Sequence, residues 1–187
     1  MMRIAIAGGI GSGKSLVTKF LRELGAKVVV ADEVNSELLK DPEYVALIAH
    51  NFPSAVNNNV INRKELASIV YSDEGKRQLL MSLAHPRIFV KMLSAYPESK
   101  VVFYEVPLLA KSKALFDQVW FVDADVNSRI ARVVARDNVT EAYARRVIEL
   151  QKGEDTMRDK ATCVISNKAG IEELRKQVKA LYCSILG

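Results

Sequence analysis

Gly8-Gly9-Ile10-Gly11-Ser12-Gly13-Lys14-Ser15 is the stretch of this chain best equipped for chemistry. It fits the pattern G-x-x-x-x-G-K-[ST], with Gly8, Gly13, Lys14 and Ser15 at the fixed positions. The chemistry implied is the binding of a phosphate chain. Glycines let the backbone approach oxygen closely, where a Cβ would block it. Lys14 brings a cation to the β- and γ-phosphates, and Ser15 a hydroxyl for Mg²⁺. Gly9, Ile10, Gly11, Ser12, Gly13, Lys14, Ser15 and Leu16 are therefore expected to line the phosphates of a nucleotide, with Lys14 also catalytic. A plain glycine turn would leave Lys14 and Ser15 unexplained.

The elements that must position this loop are readable on both sides of it. Arg3–Ala7 reads as a short buried strand, and Leu16, Val17, Phe20, Leu21 and Leu24 recur at helical spacing. Backbone N–H groups at such a strand-to-helix turn surround anions, with the positive end of the helix behind them. Further strands are expected at Lys27–Val30, Val101–Glu105, Val119–Val122 and Cys163–Ser166. They are rich in Val and Ile without clear alternation, as parallel strands covered on both faces are. Helical patterns between them predict a doubly wound α/β sheet with its ligand at the carboxyl ends of the strands.

Two connections exceed a simple crossover. About seventy residues separate Val30 from Val101. They read as helical, with a polar loop at Asn57-Asn58-Asn59 and a helix cap at Ser72 or Asp73. The second connection holds helices over about 127–136 and 140–151, joined by Asp137-Asn138-Val139 and capped by Thr140.

Other reactive side chains fall near strand ends. Asp32, just past the second strand, reads equally as a general base, a Mg²⁺ contact or a helix cap. Arg129, Arg132 and Arg136 share one helical face, opposite Ile130, Val133 and Val134. Residues 127–160 hold eight Lys/Arg against six Asp/Glu, so the choice of Arg says more than the surplus. The strip resembles a lid that neutralises transferred charge, and Arg136, nearest the loop tip, is the expected actor. Pro86 in His85-Pro86-Arg87 predicts a turn or helix start. Glu105 reads as a metal-supporting acid or a cap, and Asp123 and Asp125 as caps.

Composition narrows the class. A 187-residue chain with 49% hydrophobic residues suits one soluble domain. No apolar run reaches membrane-spanning length, and Met1-Met2-Arg3-Ile4 leads straight into the first strand, so a cytoplasmic protein without a signal peptide is expected. The net charge of +5 suits polyphosphate substrates, and no nucleic-acid-binding motif accompanies it. Cys163 and Cys183 are expected to be reduced, buried thiols. The oligomeric state stays open, and a monomer is compatible with it.

Taken in order, the motifs resemble the dephospho-CoA kinase family over nearly the whole chain. Gly8–Ser15 matches its loop, and Ala31-Asp32 the end of its Asp-Ala-Asp motif. His85-Pro86-Arg87-Ile88 matches its His-Pro segment, and Pro107-Leu108-Leu109 its loop after the third strand. Arg136-Asp137 with Thr140 and Arg145 matches its lid, and Val164-Ile165-Ser166-Asn167 with Gly170 its adenine-side segment. Val30 stands where the first Asp of Asp-Ala-Asp is usual, which leaves one carboxylate there.

The resemblance implies transfer of the ATP γ-phosphate to the ribose 3′-hydroxyl of dephospho-CoA, with Mg²⁺. It implies a nucleoside-monophosphate-kinase-like three-layer fold with a five-stranded parallel sheet. The single kinase domain would span 1–187, with a core of 1–31, 99–125 and 161–187. A helical substrate-binding insertion would occupy 32–98 and a lid 126–160. Asp32 would be the base, His85 and Arg87 would line the acceptor side with it, Arg136 would act from the lid, and Asn167 would lie near the nucleotide base.

Two rival readings weigh less. Another small-molecule kinase of this architecture would act on a nucleotide or sugar acid, but the long insertion favours a larger acceptor. A GTPase would need Asn-Lys-x-Asp to read guanine, and Asn167-Lys168-Ala169-Gly170 lacks the acid.

Overall fold

The sheet follows from five short β-branched and aromatic runs: β1 (Met2–Ala7), β2 (Val28–Val30), β5 (Val101–Glu105), β6 (Gln118–Asp123) and β7 (Cys163–Ser166). In this computed structural model, which describes residues 1–106 and 113–186, they form one parallel sheet in the order β2-β5-β1-β6-β7. β1 sits at its centre, with Ile4, Ala5, Ile6 and Ala7 wholly buried. Its register aligns Ala5 with Tyr104 and Val119, and Ile6 with Trp120. Side chains alternate between faces along a strand, so each row belongs to one face. Phe103 and Trp120 meet edge to face at 5.2 Å, with Tyr182 of α9 (Ile171–Leu186) 5.9 Å from Phe103. On the other face Ala5, Ala7, Val119 and Phe121 pack with Met157. α1 (Lys14–Glu23) lies against α9, where Arg175 pairs with Glu23 and covers the Phe20 ring.

The connection after β6 folds as the sequence predicts. α6 (Val126–Asp137) and α7 (Glu141–Leu150) bury Ile130, Val133, Ala144 and Ile148 against each other. Thr140 caps α7 through the Tyr143 N–H, and Asn138 turns the chain at φ 53°. A short α8 (Lys152–Asp155) follows.

The chain divides into two compact units, Met1–Val29 with Tyr96–Gly187, and Val30–Ala95. The second is built from α2 (Ala31–Leu38), α3 (Pro42–Asn51), α4 (Arg63–Ser72) and α5 (Glu74–Ser94). Tyr44, Val45, Ile48, Phe52, Ile61 and Leu66 form its own core. Caps set the helix starts: Asp41 for α3, Asn62 for α4 and Asp73 for α5.

Three expectations need correction. Pro86 begins neither a turn nor a helix; it lies inside the 21-residue α5. An interior proline removes one hydrogen bond and costs about 3 kcal/mol. Leu80, Leu83, Ala84 and Ile88 pack into the core around it, and that burial outweighs the loss. The polar loop at Asn57–Asn59 is the tip of a hairpin, β3 (Val56–Asn57) and β4 (Val60–Ile61). Asn58 and Asn59 turn it with φ 49° and 60°, a geometry asparagine tolerates. Cys183 is exposed rather than buried; Cys163 is half-buried, and burial pushes its thiol pKa up.

Candidate active site

The carboxyl end of β1 lies where the strand order reverses, between β5 and β6, the position at which doubly wound sheets bind ligands. The glycine loop leaves the sheet there. Gly13 ends it at φ 105°, and a Cβ on Gly13 would stand 2.3 Å from Asn167 Nδ2. It gives α1 no side-chain cap, so the helix end suits an anion. Lys14 Nζ donates to the carbonyls of Gly8 at 2.6 Å and Gly9 at 3.3 Å, which folds the ammonium back over the loop.

Ser15 lies beside an acid from the sheet. Its Oγ donates to Glu105 Oε1 at 3.2 Å, and Thr18 Oγ1 donates to Oε2 at 3.0 Å. Glu105 thus sits at the end of β5 with both oxygens directed at α1. Leu16 follows, half-buried in the first turn of α1.

Side chains distant in sequence hold the loop's carbonyls. Arg129 Nε donates to Ile10 O at 3.0 Å. Arg132 Nη1 donates to Gly11 O at 3.1 Å and Ser12 O at 3.2 Å, and its Nη2 to Asn167 O at 3.3 Å. Asn167, buried at the end of β7, donates from Nδ2 to Ser12 O at 2.8 Å. Gln151 Oε1 accepts the Ile10 N–H at 3.0 Å. Each peptide is planar, so a carbonyl held on one side directs the next N–H to the other. The clamps therefore aim the loop's donors.

The expected residues divide between the two units. Gly9 to Leu16 and Asn167 come together in the first. Arg136 stands near the end of α6, exposed, donating to Asp137 through Nε and Nη2 at 2.7 Å each. Asp123 accepts an ion pair from Lys168 at 2.7 Å rather than capping a helix, whereas Asp125 caps α6 through Ser128 N–H. That hydrogen bond holds the Asp125 carboxyl below the usual carboxylate range. In the second unit Asp32 is exposed in the first turn of α2, whose cap position is Val30 and not Asp32. His85 and Arg87 lie on α5, which packs against α2, and Arg87 donates to Leu83 O. Tyr44 in the same unit has its pKa raised by burial, offset in part by the Arg87 charge. Pro107-Leu108-Leu109 lies outside the described residues.

Sequence reasoning missed Gln151 and the clamping roles of Arg129 and Arg132. The i, i+3 spacing of the two arginines was visible, but not that Arg129 is buried. Nothing in the local sequence marks Gln151.

The family model described as CoaE, dephospho-CoA kinase, matches residues 2–173. The chain belongs to the dephospho-CoA kinase family. The dephospho-CoA kinase of Fusobacterium nucleatum subsp. nucleatum is 32% identical over 192 residues, covering 100% of this chain and 99% of that protein. A solved protein of Thermus thermophilus superposes with a TM-score of 0.85 at 28% identity, covering 100% of this chain and 98% of its own. The dephospho-CoA kinase of Campylobacter jejuni shares the fold at a TM-score of 0.69 and 22% identity, covering 98% of this chain and 96% of its own. As a member of a kinase family this chain is a nucleotide-dependent phosphotransferase with an alcohol acceptor. No helix among the described residues is long and apolar enough to cross a membrane.

Proposed function

We propose that this chain transfers the ATP γ-phosphoryl group to the ribose 3′-hydroxyl of dephospho-CoA, giving coenzyme A and ADP. The observation that carries this reading is the completed phosphate loop, with Lys14 across it and Ser15 beside Glu105, in a chain of this family. The bond broken joins the γ-phosphorus to the bridging oxygen, which leaves on ADP. The bond formed joins that phosphorus to the 3′-oxygen, whose proton passes to the Asp32 carboxylate. In a loose transition state that proton leaves late, so the base's main task is to orient the hydroxyl.

Ser15 Oγ and the Glu105 carboxylate are adjacent hard oxygen donors, which suits Mg²⁺. Mg²⁺ arriving with ATP would be held by these oxygens and would supply positive charge against the phosphates. Lys14 is the cation for the same oxygens, and exchanges the Gly8 and Gly9 carbonyls for them. Asn167 serves the nucleotide-base side. Arg136, from a lid formed by 126–160, meets the transferred group by exchanging the Asp137 carboxylate for phosphate oxygens. The Val30–Ala95 unit takes the acceptor, with His85 and Arg87 on its α5.

The test is product analysis by phosphorus NMR after incubation with ATP, Mg²⁺ and dephospho-CoA. A 3′-phosphomonoester is expected. Asp32→Asn keeps the side chain's shape but accepts no proton, and is expected to lower kcat by about 10²–10⁴-fold. Near-normal turnover in Asp32→Asn would remove the base assignment, and phosphorylation at another hydroxyl would remove the acceptor assignment.

A further inference from the structure

Arg129 is a charged side chain only 4% exposed, and the reaction above does not use it. Its Nε holds the Ile10 carbonyl at 3.0 Å, and its Nη1 donates to both Asp155 oxygens at 3.0 and 3.3 Å. Its Nη2 is buried and has no hydrogen-bond partner among the described residues. The guanidinium occupies the space that Gly9 leaves open: a Cβ there would stand 2.1 Å from Nη2. The Arg129 carbonyl lies against Gly11 in the same way, 2.6 Å from a Cβ on that residue. Gly11 thus faces Arg129 backbone that cannot give way, and Gly9 leaves the room its guanidinium fills.

A buried guanidinium needs a countercharge, and Asp155 supplies it from the end of α8. Ile10 C=O and Gly11 N–H share one rigid peptide plane. Anchoring the carbonyl on Arg129 therefore points the Gly11 N–H away from Arg129.

We propose that Arg129 and Asp155 are a positioning pair for nucleotide phosphate: Asp155 orients the guanidinium, and the guanidinium aims the Gly11 N–H. The pair rests on the reading of residues 8–15 as a nucleotide-phosphate loop. It acts through the loop on the nucleotide and leaves acceptor affinity alone.

Asp155→Asn separates positioning from charge, because the two predict opposite signs. Removing a negative charge behind the loop strengthens anion binding if only the field matters. It weakens binding if the carboxylate's task is to hold Arg129 in place. Asp155 is part-exposed, so an isosteric Asn fits in its place, and an unfolding transition in the thermal scan checks that the variant is folded. The measurement is the ADP dissociation constant by calorimetry on the full chain, with KM for ATP and for dephospho-CoA and the thermal midpoint.

For Asp155→Asn the ADP constant is expected to rise about tenfold, by analogy with the loss of a hydrogen-bonded partner behind a metal ligand. KM for ATP rises with it, while KM for dephospho-CoA stays within about twofold, since no acceptor contact changes. Asp155→Glu restores most of the affinity. Arg129→Gln with Asp155→Asn is no worse than Arg129→Gln alone, since the two act as one unit. Unchanged or tighter ADP binding in Asp155→Asn, or an equal rise in both KM values, would overturn the pair while leaving the loop reading intact. Failure of the unaltered chain to bind ADP would overturn the loop reading, and the pair with it.

Discussion

At the scale of single residues, Gly13 is held by both its backbone and its neighbour. Its φ of 105° strains any L side chain, and a methyl there would collide with the Asn167 amide. Gly13→Ala is expected to displace Asn167 from Ser12 O and weaken ADP binding at least about tenfold, of the order lost when an outer partner is removed. Calorimetry with ADP checks this, and unchanged affinity would mean that the loop tolerates the methyl. Lys14 and Ser15 were legible because their meaning is local, a fixed spacing at the start of one helix. Glu105, Arg129, Gln151 and Asn167 reach the loop from 90, 119, 141 and 155 residues away. Only the folded sheet brings such partners together, so their types were visible in the sequence but not their targets.

At the scale of elements, the strand runs and the α6–α7 pair were legible because period, apolar content and caps agreed. Pro86 was misread, and the strands flanking the turn at Asn58-Asn59 were missed, for opposite reasons. Packing of α5 overrode a local helix breaker, whereas the asparagines formed a tighter turn than a polar loop requires. α6 presents Arg129 and Arg132 to the loop, so its start matters. Asp125 caps it through the Ser128 N–H, and its carboxyl pKa is lowered from 3.8. A carboxylate with a depressed folded pKa stabilises above its unfolded value and loses that contribution as pH falls through the folded one. Asp125→Ala is therefore expected to lower the thermal midpoint at pH 7, with the gap narrowing as the pH drops below about 3.8. Thermal unfolding followed by circular dichroism across pH tests it, and a gap that stays constant into acid would count against a charged cap.

At the scale of the whole molecule, one sheet with its glycine loop forms one compact unit, and Val30–Ala95 folds around its own core. The first unit carries the glycine loop with Lys14 and Ser15, and Glu105 beside them. The second holds Asp32, His85 and Arg87, the residues proposed to meet the acceptor. Acceptor identity was legible only through an ordered set of motifs; no one of them, the phosphate loop included, names it. Fold alone does not choose among acceptors either. The measurement that bears most directly on the account is ATP consumption with Mg²⁺ and dephospho-CoA, run beside nucleoside monophosphates and shikimate. Rapid turnover on dephospho-CoA, with formation of coenzyme A and none on the others, is the predicted result. An inert dephospho-CoA beside a reactive nucleotide or shikimate would contradict it, and would reassign the Val30–Ala95 unit to that acceptor.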